Sequence, residues 1–176
     1  RRVREILALA PERLEAPDAI DASGLRGHLR FEDVSFSYDG RTPVLDGVSF
    51  EVRPGDLIAI VGLSGAGKTT IANLVPRFFE PSGGRILIDG VDLGRYALGS
   101  LRERIAVVPQ DPVVFSGTIA DNIRYGRLDA TDDAVEAAAR QARVHGFVER
   151  LPQGYDTPMI GAPLSGGERQ RLAIAR

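Results

Sequence analysis

The chain is predicted to adopt an α/β fold, with β structure concentrated in its first half and helices in its second. Three observations carry this. A short apolar run at 56–61 feeds a glycine-rich octet, after which residues 68–79 place Ile71, Leu74, Val75 and Phe78 at helical spacing. Ahead of that run, apolar and polar residues alternate in the manner of half-buried strands. Beyond residue 110 the β signal disappears and the remaining apolar periods are helical.

Taken in order, residues 1–10 carry Val3, Ile6, Leu7 and Ala10 on one helical face and stop at Pro11. Residues 11–28 hold prolines, acids and glycines without periodicity and read as a linker. Leu29-Arg30-Phe31 and Val34-Ser35-Phe36-Ser37-Tyr38 alternate as strands. A turn at Asp39-Gly40 leads to a strand over 44–52, closed by Pro54-Gly55. The run 56–61 has the continuous apolar character of a buried parallel strand. Pro81-Ser82-Gly83-Gly84 is a turn, 85–89 a strand and 98–103 a short helix; 105–108 is again a buried-type strand, ending at Pro109-Gln110. Thr118, Thr131 and Ser165 each precede helical stretches and read as N-caps, and 134–144 is a helix by propensity.

Composition bounds the possibilities. The 176 residues make one domain's worth of chain, with a net charge of −2 that offers no basic field to nucleic acid. Cysteine is absent, which excludes disulfides and thiolate metal sites. No apolar stretch approaches the roughly 20 residues that cross a bilayer. The chain opens Arg1-Arg2-Val3 without an initiating Met, and is expected to be a piece of something longer.

The octet Gly62-Leu63-Ser64-Gly65-Ala66-Gly67-Lys68-Thr69 fits the phosphate-loop pattern G-x-x-x-x-G-K-[ST] at every fixed position. Lys68 is the only lysine among 22 basic residues, all the others being arginine. A compact ammonium on a flexible stem suits the β- and γ-phosphates, whereas guanidinium is a wide planar fork. The glycines let successive backbone N–H groups converge on one anion. A strand, this loop and a helix together aim a helix N-terminus at phosphate, so binding of a nucleoside triphosphate is expected.

A second stretch, Leu164-Ser165-Gly166-Gly167-Glu168-Arg169-Gln170-Arg171, opens a helix with exposed backbone donors and the positive end of its dipole behind them. A plainer reading stands beside it, in which Ser165 caps a helix and the glycines turn the chain. Taken together, the two motifs resemble the nucleotide-binding domain of ABC transporters, whose signature is Leu-Ser-Gly-Gly-Gln/Glu, over residues 29–176. Val107-Val108-Pro109-Gln110-Asp111, Phe115-Ser116-Gly117-Thr118-Ile119, Asn122-Ile123 and Leu151-Pro152-Gln153-Gly154-Tyr155-Asp156-Thr157 look like the exporter type.

The resemblance implies a P-loop NTPase (RecA-like) core with an antiparallel β subdomain and a helical subdomain, incomplete at the C-terminus. On this division 1–28 are a helical tail and linker from a membrane domain, 29–110 the β subdomain and core, and 111–176 the helical subdomain. It implies ATP and Mg²⁺ as cofactors. Tyr38 matches the aromatic that stacks on adenine, the alternative being a strand-end tyrosine packed on a neighbour. Lys68 and the amides of Ser64, Gly65, Ala66, Gly67, Thr69 and Thr70 would hold the phosphates, with Gly62 and Leu63 completing the loop. Thr69 would ligate Mg²⁺ through its hydroxyl. Gln110 matches the glutamine that reaches Mg²⁺ and the attacking water, a plain surface residue being the alternative. Ser165, Gly166, Gly167 and Glu168 would face a γ-phosphate on a second copy, which implies a head-to-tail pair, homo- or heterodimeric. The implied partners are that second ATPase domain and a transmembrane domain of the same polypeptide, at the cytoplasmic face of a membrane, with no nucleic acid.

Two departures are visible. The family's next elements, a strand ending in an Asp for Mg²⁺, a Glu that activates water and a later His, are not among these residues. His28, in the linker, and His145, at a helix end, read as surface or boundary residues and not as substitutes. The segment Pro158-Met159-Ile160-Gly161-Ala162-Pro163 lacks the Gly-Glu-x-Gly that exporters place there, which puts coupling through that loop in doubt. Two other classes compete: a soluble ABC-type ATPase of DNA repair and a nucleotide-binding regulatory module that never hydrolyses. The short span between Gln110 and Ser165, without sustained heptads, and the acidic balance disfavour the first.

Overall fold

The computed structural model describes residues 18–176, so the helix read over 1–10 and the start of the linker lie outside the described residues. The chain divides into two compact units, the first running to Ala106 and the second spanning Val107–Arg176.

The first unit is built on an antiparallel sheet of order β2-β1-β3-β4, with β1 at Leu29–Phe36, β2 at Leu45–Val52, β3 at Gly83–Ile88 and β4 at Val91–Asp92. Alternation sets the register: Phe31 lies opposite Phe50 on one side and Ile86 on the other, and the two phenyl rings stack at 4.4 Å. The two short runs read before the turn form one strand, β1, interrupted where Asp33 takes a positive φ of 52°. Gly84 answers that irregularity, because a Cβ there would collide with the Asp33 carbonyl. Helix α1, Lys68–Leu74, contributes Leu74 to the same cluster as Phe31, Phe36, Leu45 and Ile86. Helix α2, Leu98–Arg102, adds Leu98 and Leu101.

Three expectations need correction. Residues 56–61 and 105–108 pair with no strand among the described residues, and Leu57 is fully exposed. A parallel strand forms only between hydrogen-bonding neighbours, and apolar character cannot supply one. The helix read over 68–79 ends at Leu74, because Pro76 has no N–H for the next turn and its ring crowds the carbonyl four residues back. Nor is the linker featureless. Ile20 bridges Tyr96, Ala22 is buried, and the Asp89 carboxylate accepts the amides of Arg26 (2.6 Å), Gly27 (3.4 Å) and His28 (2.9 Å).

The second unit is helical: α3 at Ile119–Arg124, α4 at Asp132–Gln141, α5 at His145–Val148 and α6 at Gly166–Ala175. All three N-caps read from the sequence form. Thr118 and Ser165 make reciprocal capping boxes with Asp121 and Glu168, and the Thr131 hydroxyl accepts from the Ala134 amide. Ile119, Val135, Ala139, Val148 and Leu172 are among the residues that fill the core.

Candidate nucleotide-binding site

The phosphate-loop residues fall in the first unit and form a tight turn sequence entering α1. Gly65 and Gly67 take φ values of 81° and 82°, left-handed backbone that a side chain would strain. Gly67 has a second constraint, since a Cβ there would lie 2.6 Å from Leu45 Cδ2 and 3.0 Å from the Val44 carbonyl oxygen. The loop is therefore seated against the start of β2. Gly67 is also the N-cap of α1, and no side chain caps that end. Lys68 donates from Nζ to the carbonyls of Gly62 (2.9 Å) and Leu63 (2.7 Å), so its ammonium is folded over the loop. Ser64 and Thr69 are exposed, Thr70 is buried, and the Ala66 amide donates to Leu63.

Tyr38 stands at the end of β1 and remains 54% exposed. Its ring lies perpendicular to those of Phe36 and Phe79, at 4.8 and 5.1 Å. Its hydroxyl is 3.1 Å from Thr70 Oγ1, in the first turn of α1. The following turn is held by Asp39, whose carboxylate accepts the amides of Thr42 and Arg41, both at 2.8 Å, and the Ser37 hydroxyl at 2.9 Å. These bonds hold its pKa at about 2, below the ordinary carboxylate range. The Asp39-Gly40 turn was legible; the Tyr38–Thr70 bond and the seat of Gly67 on Val44 and Leu45 carry no local signal.

Gln110 and the signature residues belong to the second unit. Gln110 is exposed in the segment preceding α3. Ser165, Gly166 and Gly167 are exposed at the start of α6, and Glu168 turns back to accept the Ser165 amide at 2.6 Å. Hydrogen bonds from Ser165, hydroxyl first and amide second, hold the Glu168 carboxyl below its ordinary pKa. Arg169 Nη1 donates to the Leu164 carbonyl at 2.8 Å, fixing the approach to the helix.

The histidines read differently in space. His28 pairs with Glu51 at 2.6 Å on the sheet. His145 is no surface residue: it is buried, with Nδ1 2.8 Å from the Tyr155 hydroxyl and Nε2 3.2 Å from Glu149. In the segment lacking the exporter acid, Met159 is buried and its amide donates to the Gly117 carbonyl at 2.9 Å.

The sequence profile described as ABC transporter matches residues 45–176. The chain belongs to the ABC transporter family. As an ATP-binding domain of that family it is 51% identical over 171 residues to an ATP-dependent lipid A-core flippase of Chromohalobacter salexigens, covering 93% of this chain and 30% of that protein. It is 52% identical over 174 residues to ATP-binding cassette sub-family B member 6 of Homo sapiens, covering 96% of this chain and 20% of that one. A solved bacterial Atm1-family ABC exporter with ATP bound superposes with a TM-score of 0.88 at 46% identity, over 99% of this chain and 31% of that chain. The fold is thus the ABC nucleotide-binding variety of the P-loop NTPase fold. The chain spans about 30% of the length of the flippase it matches. Among the described residues no helix is long and apolar enough to cross a membrane.

Proposed function

We propose that the chain binds ATP at the loop around Lys68 and that, within a longer polypeptide, it powers transmembrane export. The observation that carries this is the Lys68 ammonium poised over a glycine loop, 2.7 Å from the Leu63 carbonyl, at the uncapped start of α1. Carbonyl hydrogen bonds leave a charge of this kind uncompensated, and triphosphate oxygens compensate it better than carbonyl dipoles do. Tyr38 supplies a platform for the base. The amides of Ser64 through Thr70 supply donors to the phosphates, and Lys68 offsets charge that develops on the γ-phosphate during transfer.

The donor set fits a magnesium ion in part. The Thr69 hydroxyl engages no partner among the described residues, and one hard oxygen is what a magnesium ion takes from such a loop when phosphates and waters supply the rest. Bound there, the metal would screen phosphate charge, and the Thr69 hydroxyl would hold it.

Ser165, Gly166 and Gly167, exposed and held in a capping box, fit the γ-phosphate bound by a second copy in a head-to-tail pair. Binding of ATP would then draw two such domains together, and hydrolysis would release them. The transmembrane partner belongs to the same polypeptide, at the cytoplasmic face of the membrane. Turnover requires an Asp–Glu pair that the family places after α6, so these 176 residues are expected to bind ATP without hydrolysing it.

Titration of ATP into the chain and its Lys68→Ala variant tests the assignment. At least a tenfold loss of affinity is expected, on the order of 1.4 kcal/mol. Equal affinities overturn it.

A further inference from the structure

Tyr38 and Thr70 come from different elements, a strand end and the first turn of α1, yet their hydroxyls meet at 3.1 Å. Thr70 is only 4% exposed, so its Oγ1 depends on protein partners, and Tyr38 supplies one. The tyrosine ring is fixed from several directions. Phe36 and Phe79 stand perpendicular to it, at interplanar angles of 88° and 89°. Ser37, Arg41 and Thr42 are tied to Asp39 on either side of its backbone. For all this bracing, more than half of the residue is left open to solvent. A residue serving only to pack would bury the ring; here it stays outside while the hydroxyl is committed to the helix that begins at Lys68.

We propose that Thr70 is a positioning residue for the nucleotide base: its hydroxyl bond to Tyr38 sets the ring's orientation, so that base stacking is registered to the phosphate loop. This rests on the reading of Tyr38 as the base platform. Phosphate-loop amides and the Tyr38 ring are then two ends of one ruler, with Thr70 as the fixed joint. The consequence is selective. Breaking the bond loosens the platform and leaves the phosphate donors in place, so a ligand with a base suffers and a bare polyphosphate does not. Recognition of a whole nucleotide over inorganic tripolyphosphate therefore depends on two hydroxyls that the sequence separates widely.

The test is calorimetric titration of the chain with ATP and, separately, with inorganic tripolyphosphate, for wild type, Tyr38→Phe, Thr70→Val and Thr70→Ser. Tyr38→Phe and Thr70→Val are each expected to weaken ATP about fivefold, the effect of one lost hydrogen bond. For Tyr38→Phe, altered outside the phosphate loop, tripolyphosphate affinity is expected to stay within about twofold, which also shows that the loop is folded in the same sample. Thr70→Ser keeps the hydroxyl and is expected to restore ATP affinity. Tyr38→Phe binding ATP as wild type does, or Thr70→Val weakening both ligands equally, overturns the proposal and leaves the phosphate-loop assignment standing. Wild type binding neither ligand, or Lys68→Ala retaining full affinity for tripolyphosphate, overturns that assignment and the positioning role with it.

Discussion

Arg176 and Asn122 are joined by two hydrogen bonds of 3.0 Å: Nε of the arginine donates to the Asn122 carbonyl and Nη2 to its Oδ1. Asn122 is 1% exposed, and its amide group also donates to the carbonyls of Phe115 and Thr118 while accepting the Phe115 amide. The guanidinium lies over the Phe115 ring at 4.9 Å. One buried side chain thus ties α3, the end of α6 and the segment before Thr118 together. Replacing it with alanine strands several partly buried donors and acceptors, and Asn122→Ala is expected to destabilise the chain by about 1–3 kcal/mol in urea unfolding. A change below about 0.5 kcal/mol would show that water replaces the amide without penalty.

Gly67→Ala is expected to lose nucleotide binding and about 1–3 kcal/mol of stability, for two reasons that act together. The backbone sits at a φ of 82°, and the new methyl group would meet Leu45, itself 4% exposed and unable to move aside. Paired measurements of the urea midpoint and ATP affinity check this; a variant with wild-type values for both would contradict the seating of the loop on β2.

The turn after Tyr38 carries a pH signature. Asp39 has a folded pKa of about 2 against an ordinary 3.8, the amides of Thr42 and Arg41 being the leading causes. A depressed carboxylate contributes stability in full above its unfolded pKa and loses it as pH falls through the folded value. The turn is therefore expected to hold down to about pH 4 and to loosen toward pH 2. Amide proton shifts of Arg41 and Thr42 followed by NMR report it directly; a midpoint near 4 would refute the bonds drawn here.

Asp89 fastens the segment ahead of β1. Burial raises its pKa, yet the amides of Arg26, His28 and Gly27 outweigh that and leave it lowered. Asp89→Ala is expected to free residues 18–28 and to speed trypsin cleavage after Arg26 by about tenfold, since cleavage follows local opening. Unchanged cleavage kinetics would mean that the Ile20–Tyr96 bridge suffices alone.

Legibility in the sequence tracked how local the physics is. The caps at Thr118, Thr131 and Ser165 were readable because a capping oxygen and its amide lie within three residues. The strands of the sheet were readable from alternation, and the phosphate loop from spacing. Residues 56–61 were misread because a strand is a property of two segments, and one run of apolar side chains says nothing about its neighbour. Pro76 was visible inside the helical pattern and should have shortened it. Tyr38 with Thr70, and Asn122 with Arg176, meet only through the fold. His145 does stand at a helix boundary, as read, but its burial against the Tyr155 hydroxyl, ten residues on, carried no local signal.

Leu57 and Val61 are 100% and 85% exposed, and their run joins no ladder among the described residues. An apolar run exposed in this way is expected to associate with its counterpart on another molecule. Storage at high concentration should accordingly turn a clear preparation hazy, and a single charge placed at residue 57 should keep it limpid.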